Sequence, residues 1–296
     1  MKKAFVVGGA SLDYIIHLDK FPSEKSATIF SEDAYKTIGS TGSGKAISLQ
    51  KLGVNTVFHA MIGDDASGTA IHKTLNEYGV NFIYDIDPEG TEEHVNLMDK
   101  NGGRISIFTR TSSFEPKFEH TRLHPYLQNC DYLVLNIINY ARRLIPEAKQ
   151  QQKEIWCDIH DYDGQNAYHS DFIDAADYLF LSSDKLNGYE KFMDQMIKQK
   201  KKLVVCTHGS KGVSAITADG QTYKLEVVSD YKLVDSNGAG DNFFSGFLYA
   251  HSKGYPVQTC LEYGTITAGL CIKSKSIVNP ILSSEVIELE HNKYYR

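Results

Sequence analysis

The sequence predicts an α/β domain in which a mainly parallel sheet is covered by helices on both faces, with a small β-sheet beside it. Three observations carry this. Short β-rich runs alternate with helical stretches through most of the 296 residues. Two segments interrupt that alternation and read as β structure with turns. Near the C-terminus a turn of small residues, Asp235-Ser236-Asn237-Gly238-Ala239-Gly240-Asp241, opens a strongly apolar helix. Buried strands separated by helices are the mark of a parallel sheet packed on both sides.

In chain order, Ala4–Val7, Thr56–Ile62, Tyr132–Ile138, Glu154–Asp158, Tyr178–Leu181 and Leu203–Thr207 read as strands. The stretches Ala46–Leu52, Gly68–Tyr78, Ile145–Gln152, Asp171–Ala176 and Tyr189–Lys200 read as helices. The interruptions are Ser11–Lys36 and Thr91–Thr109. In the second, Met98-Asp99-Lys100-Asn101-Gly102-Gly103-Arg104 is a hairpin signal flanked by Val95, Leu97, Ile105 and Ile107. The expected division is a large domain of residues 1–10, 37–90 and 110–296, and a discontinuous small β unit of 11–36 and 91–109.

Composition narrows the function classes. With 42% hydrophobic residues the chain can bury a full core. A net charge of −6 gives no basic footprint for nucleic acid. The cluster Lys198, Lys200, Lys201, Lys202 falls at the end of an expected helix, where cations complement the dipole, and reads as a solvated helix end. No stretch has the apolar length of a membrane span, and the N-terminal apolar run is too short for a signal peptide. Cys130, Cys157, Cys206, Cys260 and Cys271 are scattered without Cys-x-x-Cys spacing. Several lie in strand-like runs and read as buried thiols of a cytoplasmic protein. His120 and His124, four apart, lack a third ligand and read as surface histidines.

The 235–241 run carries the chemistry. Phe243, Phe244, Phe247 and Leu248 recur at helical spacing, so the helix is expected to start near Gly240. The N–H groups of Gly238, Ala239 and Gly240 then form an anion cradle at a helix N-terminus. Asp241 stands at its mouth as a general base. An anion cradle beside a base is what phosphoryl transfer to a hydroxyl requires.

The full run, followed by Phe243, resembles the Asp-Thr-x-Gly-Ala-Gly-Asp-x-Phe signature of ribokinase-like carbohydrate kinases, the phosphofructokinase-B family. The resemblance extends from Asp13 to the helices around Val257–Lys273. It includes Ile62-Gly63-Asp64-Asp65 with Gly68, Leu75, Gly79 and Val80, which read as architecture. Gly39, Gly42, Ala46, Leu52 and Gly53 match the family's Gly-Gly-x-Gly-x-Asn-x-Ala and the helix after it. Thr207-His208-Gly209-Ser210-Lys211-Gly212 resembles its Thr-x-Gly-x-x-Gly nucleotide loop.

The resemblance implies a ribokinase-like three-layer α/β/α fold whose small sheet is a lid. It implies ATP and Mg²⁺ as cofactors, with a monovalent cation as a further option, and a sugar-like small-molecule acceptor. The exposed lid sheet is the expected surface through which two copies pair as a homodimer. Asp241 is implied as the base, with Gly238, Ala239 and Gly240 as the anion hole. Asp13, Gly39, Ser40, Gly44 and Lys45 are implied for the acceptor, and Thr207, Gly209, Gly212 and Asn237 for the nucleotide. Asp235 and Asp184 are implied for the metal.

Departures from the pattern keep alternatives open. Ser40 replaces a glycine, Gly44 replaces the asparagine that binds substrate hydroxyls, and Lys45 follows at once, either as a cation for an anionic acceptor or as an exposed lysine. Ser182-Ser183-Asp184-Lys185 stands where the family has Asn-x-x-Glu, and Asp158-Ile159-His160-Asp161-Tyr162 where it has Asp-x-Asn-x-Arg. A nucleoside kinase of the same fold and a weakly active or non-catalytic binding relative are the alternatives. Gly39–Ala46 also approaches a Walker A loop, but Ala46 stands where that loop needs a hydroxyl for magnesium.

Overall fold

The computed structural model describes residues 2–296. The chain begins with β1 (Lys3–Val7), β2 (Ser11–Leu18), β3 (Asp33–Gly39), α1 (Thr41–Lys51), β4 (Asn55–Ile62), α2 (Ala66–Glu77) and β5 (Asn81–Ile86). It continues through β6 (Glu92–Asp99), β7 (Arg104–Arg110), α3 (His124–Gln128), β8 (Tyr132–Asn136), α4 (Ile145–Gln150), β9 (Glu154–Asp158) and α5 (Ser170–Ala175). The remainder is β10 (Tyr178–Ser182), α6 (Tyr189–Lys198), β11 (Leu203–Thr207), β12 (Val213–Thr217), β13 (Thr222–Leu225), α7 (Ala239–Ser252), α8 (Val257–Ile272) and α9 (Ser284–Tyr295).

Nine strands form one sheet in the order β13-β12-β11-β10-β9-β8-β1-β4-β5. Every pairing from β11 to β5 is parallel, while β12 and β13 add antiparallel at one edge. The period-two alternation of a strand divides its residues between two cores. Ala4, Val6, Val134, Phe180 and Val205 pack with the helices α1, α2, α7, α8 and α9. Phe5, Val7, Leu135, Leu181 and Val204 pack on the other face with α3 to α6. This is the three-layer α/β/α arrangement. Because the strands run parallel, their carboxyl ends share one edge, where ligands bind in such sheets.

The small sheet has the order β3-β2-β6-β7, with β2 and β6 parallel and the outer pairs antiparallel. The hairpin turn falls at Asp99–Gly103, closed by the Asp99 N–H to the Gly103 carbonyl at 3.0 Å. β5 and β13 are the edge strands of the large sheet and are partly exposed, which is why their sequences do not read as buried strands; β12 lies between β11 and β13.

Helix α1 begins at Thr41, five residues before the expected start at Ala46. Gly42 and Gly44 look like a loop in sequence. Here they let the helix press against the β1 turn and Asp241, and packing overrides their poor helix propensity. Gly42–Lys45 are therefore helical and do not form a phosphate-binding loop of Walker type. The expected strand to Ile138 stops at Asn136. Lys201 departs from the solvated cluster, being buried with its Nζ 3.1 Å from the Asp174 carbonyl. All five cysteines are free and buried. Among the described residues no helix is long and apolar enough to cross a membrane.

Ser40, the residue before α1, holds φ at +69°. That left-handed region costs a residue with a β-carbon about 1 kcal/mol or more. Ser40→Gly is expected to raise the thermal midpoint by about 2 °C in a scanning denaturation experiment.

Candidate active site

The 235–241 turn and the first turn of α7 form the centre of the site. Gly238 adopts φ +80°, and a β-carbon there would stand 2.5 Å from the Ile277 carbonyl oxygen. Asn242, fully buried, donates its side-chain amide to the carbonyls of Gly238 and Ile277, both at 2.8 Å. Phe243, Phe244, Phe247 and Leu248 are buried, as their spacing predicts. The turn is thus fixed from below by α7.

The expected cradle needs one correction. The Ala239 N–H donates to the Ser236 carbonyl at 3.2 Å and closes the turn, so it does not point outward. Among the described residues, the N–H groups of Gly238, Gly240 and Asp241 meet no acceptor. Space beside Gly240 is open, with nothing within 4 Å of where a β-carbon would be. The N–H groups able to hold an anion here are therefore those of Gly240 and Asp241, beside the open space, and Ala239 is not among them.

Asp241 is 8% exposed. Its Oδ1 takes a hydrogen bond from Lys45 Nζ at 2.5 Å. Lys45, fully buried, also reaches Asp158 Oδ2 at 3.2 Å and lies 5.2 Å from the Phe244 ring centroid. Burial opposes the ammonium form, but Asp241 and Asp158 prevail and hold its pKa above the ordinary lysine value. Burial likewise pushes Asp158 up, and His160, Lys45 and the His160 N–H hold it below the ordinary aspartate value. Lys45 is neither an exposed lysine nor a free cation for an anionic acceptor, because two carboxylates already compensate it. Gly44 lies under the other oxygen of Asp241: a β-carbon there would be 3.0 Å from Oδ2.

Asp13 stands at the root of the small sheet, with its carboxyl carbon 2.2 Å from where a Gly39 β-carbon would be. It accepts from Ser11 Oγ at 2.6 Å and Asn96 Nδ2 at 2.8 Å. His94 Nδ1 is 3.2 Å away, and His94 Nε2 is 3.1 Å from Glu92. Burial alone would lower the His94 pKa, but Asp13 and Glu92 raise it to about 9. The Phe108 ring, 57% exposed, lies over His94 with centroids 4.1 Å apart. Ser40 sits at the opposite side, its Oγ above Gly9.

The small sheet is fastened to the turn. Asp235, 3% exposed, accepts the Asn237 N–H at 2.7 Å on Oδ1. The Tyr35 hydroxyl lies 2.9 Å from both Asp235 Oδ2 and the Lys275 carbonyl, and His17 Nε2 is 3.5 Å from the same Oδ2. Burial and the Asp235 charge keep the Tyr35 hydroxyl protonated, well above the ordinary tyrosine value. Arg104 donates to Asn237 Oδ1 at 2.9 Å, and Ser236 Oγ donates to the Gly102 carbonyl at 2.9 Å. Asp235 and the side chain of Asn237 are therefore committed to protein partners.

The nucleotide-loop residues follow the carboxyl end of β11. Gly209–Lys211 make a single 3-10 turn, closed by the Gly212 N–H to the Gly209 carbonyl at 3.2 Å. The ring of His208 is held between Ser183 Oγ and Ser214 Oγ, each at 2.9 Å, and burial lowers its pKa. This joins the loop to Ser182–Lys185 at the end of β10, and the Ser183 N–H bonds the Thr207 carbonyl at 3.0 Å. Asp184 is exposed with no ion pair, while Lys185 pairs with Asp161 at 2.5 Å. Among the described residues no group of three His, Cys, Asp or Glu side chains is placed to hold a metal. That includes His120 and His124, whose rings meet edge to face.

The sequence assigned no role to Asp158, His94, Asn96, Tyr35 or Arg104. Asp158 stood out only as the first residue of the altered Asp-x-Asn-x-Arg stretch at the carboxyl end of an expected strand. The rest depend on how the small sheet folds back over the turn.

The pfkB family carbohydrate kinase profile matches residues 1–284. The chain belongs to that family, and it is a carbohydrate kinase. Among curated relatives, an acarbose 7(IV)-phosphotransferase of an Actinoplanes species is 28% identical over 88% of this chain and 89% of its own. A nucleoside kinase of Methanocaldococcus jannaschii is 26% identical over 93% and 92%. Among solved structures, the microbiome-derived acarbose kinase Mak1 superposes with a TM-score of 0.87 at 24% identity, covering 97% of this chain and 98% of that one. An Arabidopsis thaliana ribokinase superposes at 0.80 with 20% identity, covering 97% of both. These likenesses establish the ribokinase fold.

His94 gives a pH-dependent contribution to stability. Its folded pKa is raised to about 9, so the contribution is full below the ordinary histidine value and is lost as pH rises through about 9. The loss is expected to be on the order of 1–3 kcal/mol. Urea unfolding of the wild type and His94→Gln between pH 6 and 10 checks this: the difference between the two should shrink at the alkaline end.

Proposed function

We propose that this kinase transfers the γ-phosphoryl group of ATP to one hydroxyl of a small, largely uncharged sugar-like acceptor, with Asp241 as general base. The observation that carries the reading is the free Oδ2 of Asp241 in the same helical turn as the unpaired N–H groups of Gly240 and Asp241. In the transfer, the acceptor oxygen bonds to the γ-phosphorus as the bond to the β–γ bridging oxygen breaks. The electron pair leaves with ADP, and the acceptor proton passes to Asp241. The two N–H groups stabilise charge on the moving phosphoryl oxygens.

Asp13 accepts from an acceptor hydroxyl at the second lone pair of Oδ2, beside its Asn96 bond. Gly39 and Ser40 shape the same wall, and Gly44 lets the acceptor approach Asp241. Phe108 offers an exposed ring for a sugar face. Thr207, Gly209 and Gly212 form the nucleotide side. Magnesium neutralises the triphosphate when bound. Asp235, buried and holding three donors, does not fit a metal, whereas the exposed Asp184 fits an outer-sphere contact to one. The small sheet acts as a lid that excludes water. Its exposed Ile105 and Ile107, on the face of β7 opposite Phe108, are also the surface through which two copies would pair.

The acarbose kinase relatives make acarbose the first acceptor to try, and the nucleoside kinase relative keeps nucleosides as a second class. ADP release from Mg-ATP across acarbose, ribose, other sugars and nucleosides is the test. One acceptor class is expected to stimulate release. Asp241→Asn is expected to lower that turnover by about a hundredfold or more with ATP binding intact by calorimetry. Near-normal turnover in the variant removes Asp241 from the base role. ATP binding with no stimulation by any acceptor favours the non-catalytic reading, with Ser182–Lys185 its cause.

A further inference from the structure

The reaction leaves a buried cation beside Asp241 without a task. Lys45 Nζ cannot touch the acceptor, because its side chain has no exposed surface. It is nevertheless 2.5 Å from the Oδ1 of Asp241. Three elements meet at this nitrogen: the second turn of α1 supplies it, the carboxyl end of β9 supplies Asp158 at 3.2 Å, and α7 supplies Asp241 and the Phe244 ring.

We propose that Lys45, anchored by Asp158, is a positioning residue that fixes the Asp241 carboxylate so that Oδ2 alone faces the acceptor. The proposal rests on the reading of Asp241 as the base. A carboxylate on an unanchored side chain can turn about its terminal bond and present either oxygen. Here Oδ1 is held from within the protein, and among the described residues Oδ2 has no partner. Oδ2 lies over Gly44, where no side chain intervenes. Asp158 keeps the ammonium from following Asp241, since it sits at the end of a central strand between β8 and β10. The charges agree with this arrangement. One ammonium between two carboxylates leaves a single net negative charge, and without it two buried carboxylates would share a site and compete for a proton.

The bland alternative is that Lys45 only balances the buried charge of Asp158. Two variants separate the readings, with turnover followed as ADP release from Mg-ATP using acarbose, ribose or water as acceptor, whichever is fastest in the wild type. Lys45→Met alone leaves two buried carboxylates and is expected to melt well below the wild type. The double variant Lys45→Met/Asp158→Asn removes the excess charge. It is expected to recover the wild-type melting temperature while kcat stays about a hundredfold down, the loss typical of a misplaced catalytic group. The KM values for ATP and acceptor should not change, because orientation of the base matters in the transition state and not in ground-state binding.

A double variant with wild-type kcat overturns the proposal and makes Lys45 a counter-ion. A rise in KM with kcat retained also overturns it, in favour of substrate binding. Failure of the double variant to fold overturns it in favour of a purely structural role. Asp241→Asn runs beside them: wild-type turnover in that variant means the base assignment has failed, whatever the Lys45 variants do.

Discussion

The ion-paired ammonium of Lys45 is the contact on which the arrangement of this site depends. Moving a lysine out of water costs several kcal/mol, and only well-placed opposite charges offset it. Asp241 and Asp158 are those charges, and they come from positions 83 residues apart in a chain of 296. Breaking such a pair by removing one member costs about 3–5 kcal/mol, whereas neutral replacement of the whole set is far milder. The pair therefore specifies a geometry more than it supplies net stability. It locks α7, which carries Asp241, to α1, and both to the end of β9 in the large sheet.

The chemistry of the fold follows from that lock. Parallel strands deliver Asp158, Ser182 and Thr207 to one edge of the sheet. The turn before α7 brings unpaired N–H groups to the same edge. The altered residues read differently in this setting. Lys45 takes Asp158, so that carboxylate is not free for a ligand. Lys185 takes Asp161, and His208 ties the Ser182–Lys185 stretch to the nucleotide loop. The departures from the family pattern form partner sets of their own and are not isolated losses.

The large sheet, the small sheet and the turn before α7 were legible in the sequence because their signals are local. The Phe243, Phe244, Phe247 spacing and the Asn101-Gly102-Gly103 turn are read from neighbours within a few residues. The start of α1 was not legible, because Gly42 and Gly44 carry loop propensity and become helical only against β1 and Asp241. Edge strands such as β5 escaped because one face is solvated and their pattern is not that of a buried run. Within the site, Gly240 and Asp241 were placed by local pattern, while the engagement of the Ala239 N–H with Ser236 is a detail of turn geometry. The partners of Lys45, Asp13 and Asp235 are all long-range. A lysine beside two glycines looks the same in sequence whether it faces solvent or lies between two aspartates.

Tyr35, His17, Arg104 and the Gly102 carbonyl all grip the segment 235–237, which is also the approach to the unpaired N–H groups at the start of α7. The small sheet, in turn, carries Asp13, His94 and Asn96. On the proposed function, a nucleotide held at the turn and an acceptor held at the small sheet would act on the same set of contacts. Thermodynamic linkage makes such help mutual: whatever factor ATP gains in affinity from the acceptor, the acceptor gains from ATP. Selectivity for one ligand would then not be a private property of its own pocket, since a change at Tyr35 or Arg104 would register in the affinities of both.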